Sequence, residues 1–148
     1  MALDNGRIDL WSAFVQAHAA VTAALESELE RERELPLSWY EVLAALGPAS
    51  AGQMRMQDLA REVRLSKSGL TRLFDRMEDA GLVERRSCAD DRRGTYAALT
   101  PAGRRALRRA MPVHQRGVEA HFGRQITSEE ARAMRSAFGR ILRGPGRG

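Results

Sequence analysis

Positively charged and hydroxyl side chains recur at helical spacing between residues 66 and 76. The set comprises Ser66, Lys67, Ser68, Thr71, Arg72 and Arg76. The apolar residues interleaved with it are Leu70, Leu73, Phe74, Met77 and Ala80. At about 100° per residue the two sets fall on opposite faces of one amphipathic helix. Cations bind phosphates, and hydroxyl groups and guanidinium forks reach base edges in a major groove, so this 66–76 polar face predicts binding to double-stranded DNA.

Signals upstream of this helix define where it begins. Ser66 occupies the N-cap position, where its hydroxyl accepts a bond from a free backbone amide. Leu65 and Leu70 stand at the N′ and N4 positions of a hydrophobic staple. Residues 56–63 carry an apolar face and predict a short preceding helix. Residues 64–66 then form the short turn that a helix-turn-helix requires.

A basic hairpin follows the helix. Gly81 ends the helix in a left-handed conformation, and residues 82–86 and 95–99 predict two strands joined by a charged turn. The tip of the hairpin carries Arg92 and Arg93, which suit a narrow and strongly negative minor groove. Together with the two helices, this hairpin predicts a winged helix-turn-helix.

Five short motifs lie in and beside this region of the sequence. They are Leu59-Ala60, Ser66-Lys67-Ser68-x-x-Thr71-Arg72, Asp79-Ala80-Gly81-Leu82-Val83-Glu84-Arg85, Asp91-Arg92-Arg93 and Leu99-Thr100-Pro101-x-Gly103. These motifs resemble the multiple antibiotic resistance regulator (MarR) family of bacterial winged-helix transcription factors. The resemblance implies a homodimer that binds a pseudo-palindromic operator and often releases it when a small molecule or an oxidant acts.

The same resemblance assigns roles to individual residues. It implies that the 66–76 polar face lies in or beside the major groove and that Arg92 and Arg93 form the tip of the wing. It implies that Asp91 orients the wing through a salt bridge. The sequence departs from the family at Arg64, because the turn between the two helices often carries glycine there and a left-handed arginine is energetically costly.

The charge of the chain is unevenly distributed. Its 148 residues include 24 Lys and Arg against 19 Asp and Glu. Residues 1–52 carry 3 arginines against 8 acids, whereas residues 53–109 carry 14 cations against 8 acids. The length fits a single domain, and the basic surplus around the helix-turn-helix fits a polyanionic partner. No apolar run is long enough to span a membrane, so we expect a cytoplasmic protein without a membrane partner.

Residue patterns for other activities are missing or badly placed. The sequence has no glycine-rich phosphate loop and no plausible catalytic triad, and Asp90 and Asp91 lie beside arginines in the hairpin, so we expect neither an enzyme nor a cofactor. The single cysteine, Cys88, excludes an internal disulfide, and its place in the wing leaves open a redox role or an ordinary exposed thiol. His114 and His121 lack a suitably spaced third ligand, so no metal is expected.

Helical patterns also precede the winged region. Residues 8–33 carry apolar residues at helical spacing and predict one long helix. Ser38-Trp39-Tyr40-Glu41 predicts a capping box at the start of a second helix. Residues 49–53 are interpreted as a connector of small residues.

Two further helices are predicted after the wing. Thr100 caps the first of them with Pro101 at its first position, and Pro112 is expected to interrupt and kink it. A capping box at Thr127-Ser128-Glu129-Glu130 begins the last helix.

These patterns predict a mainly α fold of about six helices. In a single domain, a winged helix-turn-helix with a two-stranded β wing over residues 35–100 is flanked by dimerisation helices over 1–34 and 101–142, with a disordered tail at 143–148. The first helix is more apolar than one small module can cover, so the first, fifth and sixth helices are expected to interlock across a twofold axis. The two recognition helices of such a dimer lie roughly 34 Å apart, which demands pseudo-palindromic DNA.

The family resemblance also implies a small aromatic or phenolic effector bound between the dimer helices and the winged region. Candidates to line that crevice are Trp11, His18, Trp39 and Tyr40. Packing in the core or at the dimer interface is the alternative for each of them. We expect a homodimeric repressor, because a bound dimer occludes polymerase, although activation stays open. The alternative function is a winged-helix module that binds proteins without specific DNA binding, which the charges at Lys67 and Arg72 disfavour.

Overall fold

The structure is a computed structural model that describes residues 5–88 and 91–145, with the side chains of 88 and 91–93 outside the description. The helices are α1 Asn5–Arg33, α2 Leu37–Leu46, α3 Met56–Glu62, α4 Lys67–Asp79, α5 Pro101–His121 and α6 Ser128–Arg143, with single 3-10 turns at Ser50–Gly52 and Gly123–Gln125. The strands are β1 Gln53–Arg55, β2 Val83–Cys88 and β3 Asp91–Leu99. This arrangement confirms the predicted mainly α winged helix-turn-helix.

The wing belongs to a three-stranded antiparallel sheet in the order β1-β3-β2. The hairpin pairs Val83 with Leu99, and β1 pairs Gln53 with Ala98 on the other side of β3. Strand β1 was not predicted, because Gln53 was assigned to the connector over 49–53 and Met54 and Arg55 were assigned to no element. A three-residue strand is too short to show alternation, and here β3 supplies the hydrogen-bonding partner.

The start of α2 corrects the predicted capping box at Ser38. The helix begins at Leu37, and its N-cap residue is Pro36, which makes no side-chain capping bond. The carbonyl of Pro36 accepts hydrogen bonds from the backbone N–H groups of Trp39 and Tyr40 at 3.0 and 3.1 Å. Proline holds its φ near the helical value, and burial of Leu37 draws the first turn into the core, so Ser38 lies inside the helix rather than at its cap.

The other predicted helix starts are confirmed. The Thr127 hydroxyl accepts from the backbone N–H of Glu130, and the Glu130 carboxylate accepts from the backbone N–H of Thr127, which completes the capping box. The Thr100 hydroxyl accepts from the backbone N–H of Gly103 at 3.0 Å. Helix α5 continues through Pro112, so the predicted interruption there is wrong. A proline removes one helical hydrogen bond, and the turns on either side maintain the helix.

The chain divides into two compact units. One extends from Leu25 to Gln115 and contains the winged helix-turn-helix. Its core includes Leu43, Leu59 and Phe74, all fully buried. The other unit joins the segment up to Ala24 with the segment from Arg116 onward. No helix in the described part of the chain is long and apolar enough to cross a membrane.

Candidate nucleic-acid interface

The turn between α3 and α4 fixes where α4 begins. Arg64 adopts a left-handed conformation with φ 55°, as its place in the turn requires. The backbone N–H of Leu65 donates to the carbonyl of Ala60 at 3.0 Å and closes the end of α3. The Ser66 hydroxyl accepts from the backbone N–H of Gly69 at 3.0 Å, as predicted for an N-cap. The left-handed Arg64 and the Ser66 cap therefore fix Lys67 as the first residue of α4.

Helix α4 separates its two faces as its sequence predicts. Leu70, Leu73, Phe74 and Met77 are buried, whereas Ala80 is exposed just beyond the helix. All six residues of the 66–76 polar face are exposed. Buried anchors on one side leave the helix axis little freedom, so the exposed side chains project from a fixed backbone.

The cations of the 66–76 polar face have no acidic partners among the residues that the structure describes. Within the described part of the chain, no carboxylate pairs with Lys67, Arg72 or Arg76. The Thr71 hydroxyl donates to the carbonyl of Lys67 at 2.8 Å and keeps its acceptor capacity. Unpaired cations on a helix surface are available to phosphates or to base edges.

A groove of about 530 Å³ lies beside this face, between α3, α4 and the sheet. Three cations line it, Arg55, Lys67 and Arg85, together with polar side chains that include Gln57 and Thr71. The Arg55 guanidinium lies 5.6 Å from the centroid of the Tyr96 ring on β3. The polar surface beside α4 therefore continues to β1 and β3.

Sequence reasoning assigned no role to Arg85, which joins the wing to α4. Its guanidinium donates to Asp75 Oδ1 and to Glu78 Oε1, each at 2.6 Å, and its backbone N–H donates to Glu78 Oε2 at 2.9 Å. The guanidinium carbon lies 5.0 Å from the centroid of the buried Phe74 ring. The seven-residue separation of Glu78 and Arg85 across Gly81 is the only trace of this contact in the sequence, and it becomes meaningful only once the chain reverses there.

The predicted wing residues fall where the side chains are not described. This applies to Arg92 and Arg93 at the tip, to Asp91 as the wing-orienting residue and to Cys88. Their backbones belong to β2 and β3, so they lie in the hairpin as predicted. The predicted charged turn is corrected, because β3 begins at Asp91, and Arg92 and Arg93 therefore lie in the strand.

The four effector candidates fall into two pairs, one in each compact unit. In the unit formed by the two ends of the chain, Trp11 is 65% exposed, and the rings of Trp11 and His18 lie 5.9 and 6.4 Å from the ring of Phe14. In the unit from Leu25 to Gln115, Tyr40 is buried and stacks on His114 with ring centroids 4.4 Å apart, while Trp39 is half-buried.

Burial alters the titration of the stacked pair. It raises the pKa of Tyr40 and lowers the pKa of His114, because it penalises the charged form of each group. Both rings are therefore neutral near pH 7. Among the described residues, no group of three His, Cys, Asp or Glu side chains lies close enough together to hold a metal ion.

A helix-turn-helix backed by an antiparallel hairpin, with an exposed cationic face on its second helix, defines the winged-helix class. The sequence profile of the MarR family matches residues 34–94. AbsC, a MarR family transcriptional regulator from Streptomyces coelicolor, is 33% identical, with a TM-score of 0.88 over 97% of this chain and 99% of AbsC. The chain therefore belongs to the MarR family of transcriptional regulators.

Further similarities differ in extent. Sco3205, a MarR family transcriptional regulator from the same organism solved in complex with DNA, is 26% identical, with a TM-score of 0.90 over 97% of this chain and 90% of Sco3205. The chain spans 64% of the length of the uncharacterised HTH-type regulator YwhA of Bacillus subtilis, which is 28% identical over 90 residues. The chain is also 34% identical over 130 residues to the large tegument protein deneddylase of human herpesvirus 2. That match covers 4% of the viral protein, which is too small a share to assign a family.

Proposed function

We propose that this chain is a homodimeric repressor that binds pseudo-palindromic duplex DNA. The observation that carries the proposal is the 66–76 polar face, which is exposed and whose cations pair with no carboxylate of the described residues, on a helix whose opposite face is anchored in the core. Helix α4 enters the major groove, where Arg72 reads a base edge and Lys67 binds phosphate. The similarity to Sco3205, solved in complex with DNA, supports this function.

The wing supplies the second contact of the proposal. Arg92 and Arg93 enter the adjacent minor groove, and Asp91 orients the hairpin. Their position at the start of β3 supports this role, because an extended hairpin beside a recognition helix reaches the neighbouring groove. A DNA target also places the site of action in the cytoplasm.

Exposed apolar side chains support the homodimer. Among the described residues, eight of the ten exposed large hydrophobic side chains belong to the unit formed by the two ends of the chain. They are Ile8, Leu10, Trp11, Phe14, Val15, Phe122, Ile141 and Leu142. A second copy would remove this apolar surface from water, which is the driving force of most protein association. Sedimentation as a monomer at micromolar concentration would contradict the dimer.

A small aromatic or phenolic molecule completes the proposed mechanism as an effector that releases DNA. The candidates are Trp11 and His18 in the unit of the chain ends, where the Trp11 ring is exposed, and Trp39 and Tyr40 in the other unit, where the Tyr40 ring is buried against His114. Binding of an effector only to the DNA-free conformation would shift the protein away from its operator.

DNA binding is tested by fluorescence anisotropy. Wild-type protein first selects duplexes from a random-sequence pool, and its affinity for a selected site is then compared with that for scrambled DNA across a salt series. If each protomer neutralises about four phosphates, the log–log slope against salt is about −7. Arg72→Ala is expected to weaken binding to the selected site about tenfold or more and to relax its specificity.

Two further variants make this test discriminating. Arg93→Ala is expected to lower affinity for all sequences and to flatten the salt slope. Arg108→Ala is the matched control, because Arg108 is an exposed arginine of the same unit on α5 and lies away from α4 in the sequence. Equal binding of selected and scrambled DNA by the wild type, or equal losses in Arg72→Ala and Arg108→Ala, would refute the proposal.

A further inference from the structure

Arg85 is the wing residue that holds α4 from outside the helix. Its two ion pairs reach Asp75 and Glu78, which are one helical turn apart, and its backbone N–H engages the second oxygen of Glu78. A guanidinium that binds two carboxylates in a fixed fork constrains both distance and angle between the elements that carry them. The guanidinium carbon also lies over the buried Phe74 ring, 5.0 Å from its centroid, so an aromatic contact supports the same group.

We propose that Arg85 is a positioning residue that sets the angle between the wing and α4, and thereby the sequence specificity of the protein. The inference rests on the proposed DNA-binding function. Between α4 and β2 the chain passes through Gly81, which has φ 78° and whose carbonyl accepts from the Thr100 hydroxyl at 2.6 Å. The base of the wing is therefore tied to the start of α5, and the two ion pairs of Arg85 tie the wing to α4 itself. Simultaneous entry into a major and a minor groove requires a fixed angle between helix and hairpin.

Arg85 has a second consequence for the face that meets DNA. Asp75 is exposed on α4 close to Arg72 and Arg76 in the sequence, where an unpaired carboxylate would repel phosphates. The ion pair at 2.6 Å places a positive charge against that carboxylate. Arg85 therefore offsets an acidic residue on the recognition helix while it holds the wing.

The next residue in the strand offers a matched control. Arg86 donates to Glu84 of its own strand at 2.6 and 2.8 Å and to Gln53 at 3.4 Å. Within the described residues, no hydrogen bond or ion pair joins Arg86 to α4. Arg86→Gln therefore makes the same change in charge and size one position away, without touching the contact between wing and helix.

The test compares Arg85→Gln, Arg85→Lys and Arg86→Gln with the wild type. Each protein is titrated with the wild-type-selected duplex and with scrambled DNA, across a salt series and below its own unfolding temperature. Arg85→Gln is expected to lower the ratio of specific to non-specific affinity by about tenfold or more, because misalignment removes base contacts. Its salt slope stays that of the wild type, because no phosphate contact is lost. Arg85→Lys is expected to recover part of the ratio, and Arg86→Gln to retain it.

A double-mutant cycle locates the effect in the ion pair. Asp75→Asn alone is expected to lower the ratio by less than Arg85→Gln, since Glu78 still holds the guanidinium. In the Arg85→Gln background the same Asp75→Asn change is expected to have little further effect, because the two residues act through one contact. If the two substitutions lowered the affinity ratio independently, so that the loss in the double variant equalled the product of the two single losses, the coupling would be refuted.

The remaining outcomes separate this inference from the proposed function. A salt slope flatter by about two for the dimer, with equal losses on both DNAs, would show that Arg85 contacts phosphate and would overturn the positioning role. An unchanged ratio in both Arg85 variants would also overturn it. If the wild type itself enriches no sequence from the pool, the proposed function fails first, and the positioning role fails with it.

Discussion

Replacement of Gly103 by alanine is expected to disturb the joint between α5 and the base of the wing. A β-carbon on Gly103 would lie 1.9 Å from the carbonyl oxygen of Leu82 and 2.9 Å from its carbonyl carbon. Both are backbone atoms, so no side-chain rotation relieves the contact. The segment is also tied in place, because the Thr100 hydroxyl donates to the carbonyl of Gly81 at 2.6 Å and the Thr100 N–H donates to the carbonyl of Leu82 at 3.2 Å.

The size of the effect follows from these contacts. Real β-carbons essentially never approach another heavy atom closer than 3.0 Å. The first turn of α5 and the Leu82 backbone must therefore move apart until the added β-carbon and the Leu82 oxygen are at least that far from each other. Such a shift breaks two hydrogen bonds worth about 1 kcal/mol each and weakens the Thr100 cap by about 1 kcal/mol. Alanine recovers about 1 kcal/mol through its higher helix propensity. The net destabilisation of Gly103→Ala is therefore about 2 kcal/mol, or roughly 4 to 8 °C in Tm.

Thermal and urea unfolding followed by circular dichroism measure this difference, with every protein at the same concentration because association shifts Tm. Gly139→Ala is the matched control. Gly139 lies inside α6, and the nearest atom to its added β-carbon is Arg143 Nη1 at an ordinary 3.5 Å. That variant is expected to gain about 0.5 to 1 kcal/mol. If Gly103→Ala were as stable as the wild type, or if the two variants shifted together, the steric reasoning would be wrong.

Two other predictions concern pH and capping. Burial holds the pKa of His114 below its ordinary value of 6.5, so its contribution to folding stability is fully present above about pH 6.5 and falls as the pH decreases below it. His114→Phe keeps a ring against Tyr40 and is expected to flatten this decline. Urea unfolding measured from about pH 7.5 to about pH 5 tests the difference. A decline equally steep in the variant would assign it to other groups. Ser66→Ala and Thr127→Ala each remove an N-cap worth about 1 kcal/mol, but only Ser66→Ala is expected to weaken DNA binding, and equal DNA affinities of the two variants would remove Ser66 from the interface.

Local signals in the sequence were sufficient for the winged helix itself. The Ser66 cap, the apolar spacing of α4 and the left-handed Gly81 each depend on residues within one or two turns of each other, so they can be interpreted without the rest of the chain. The sequence left the departure at Arg64 open, and the structure shows that Arg64 adopts the left-handed conformation, with φ 55°. Where the local signal was ambiguous the prediction failed, as at Ser38, where Pro36 and the burial of Leu37 determined the helix start.

The sequence by itself determined which residues form the amphipathic helices, where most helices begin, and which cations share the face of α4, because helical periodicity and capping act over a few residues. Only the tertiary structure decided that β1 joins the sheet, that Tyr40 stacks on His114 and that Arg85 binds two turns of α4. These contacts join residues from different elements, and whether such residues meet depends on how the chain packs, for which the sequence carries no periodic signal.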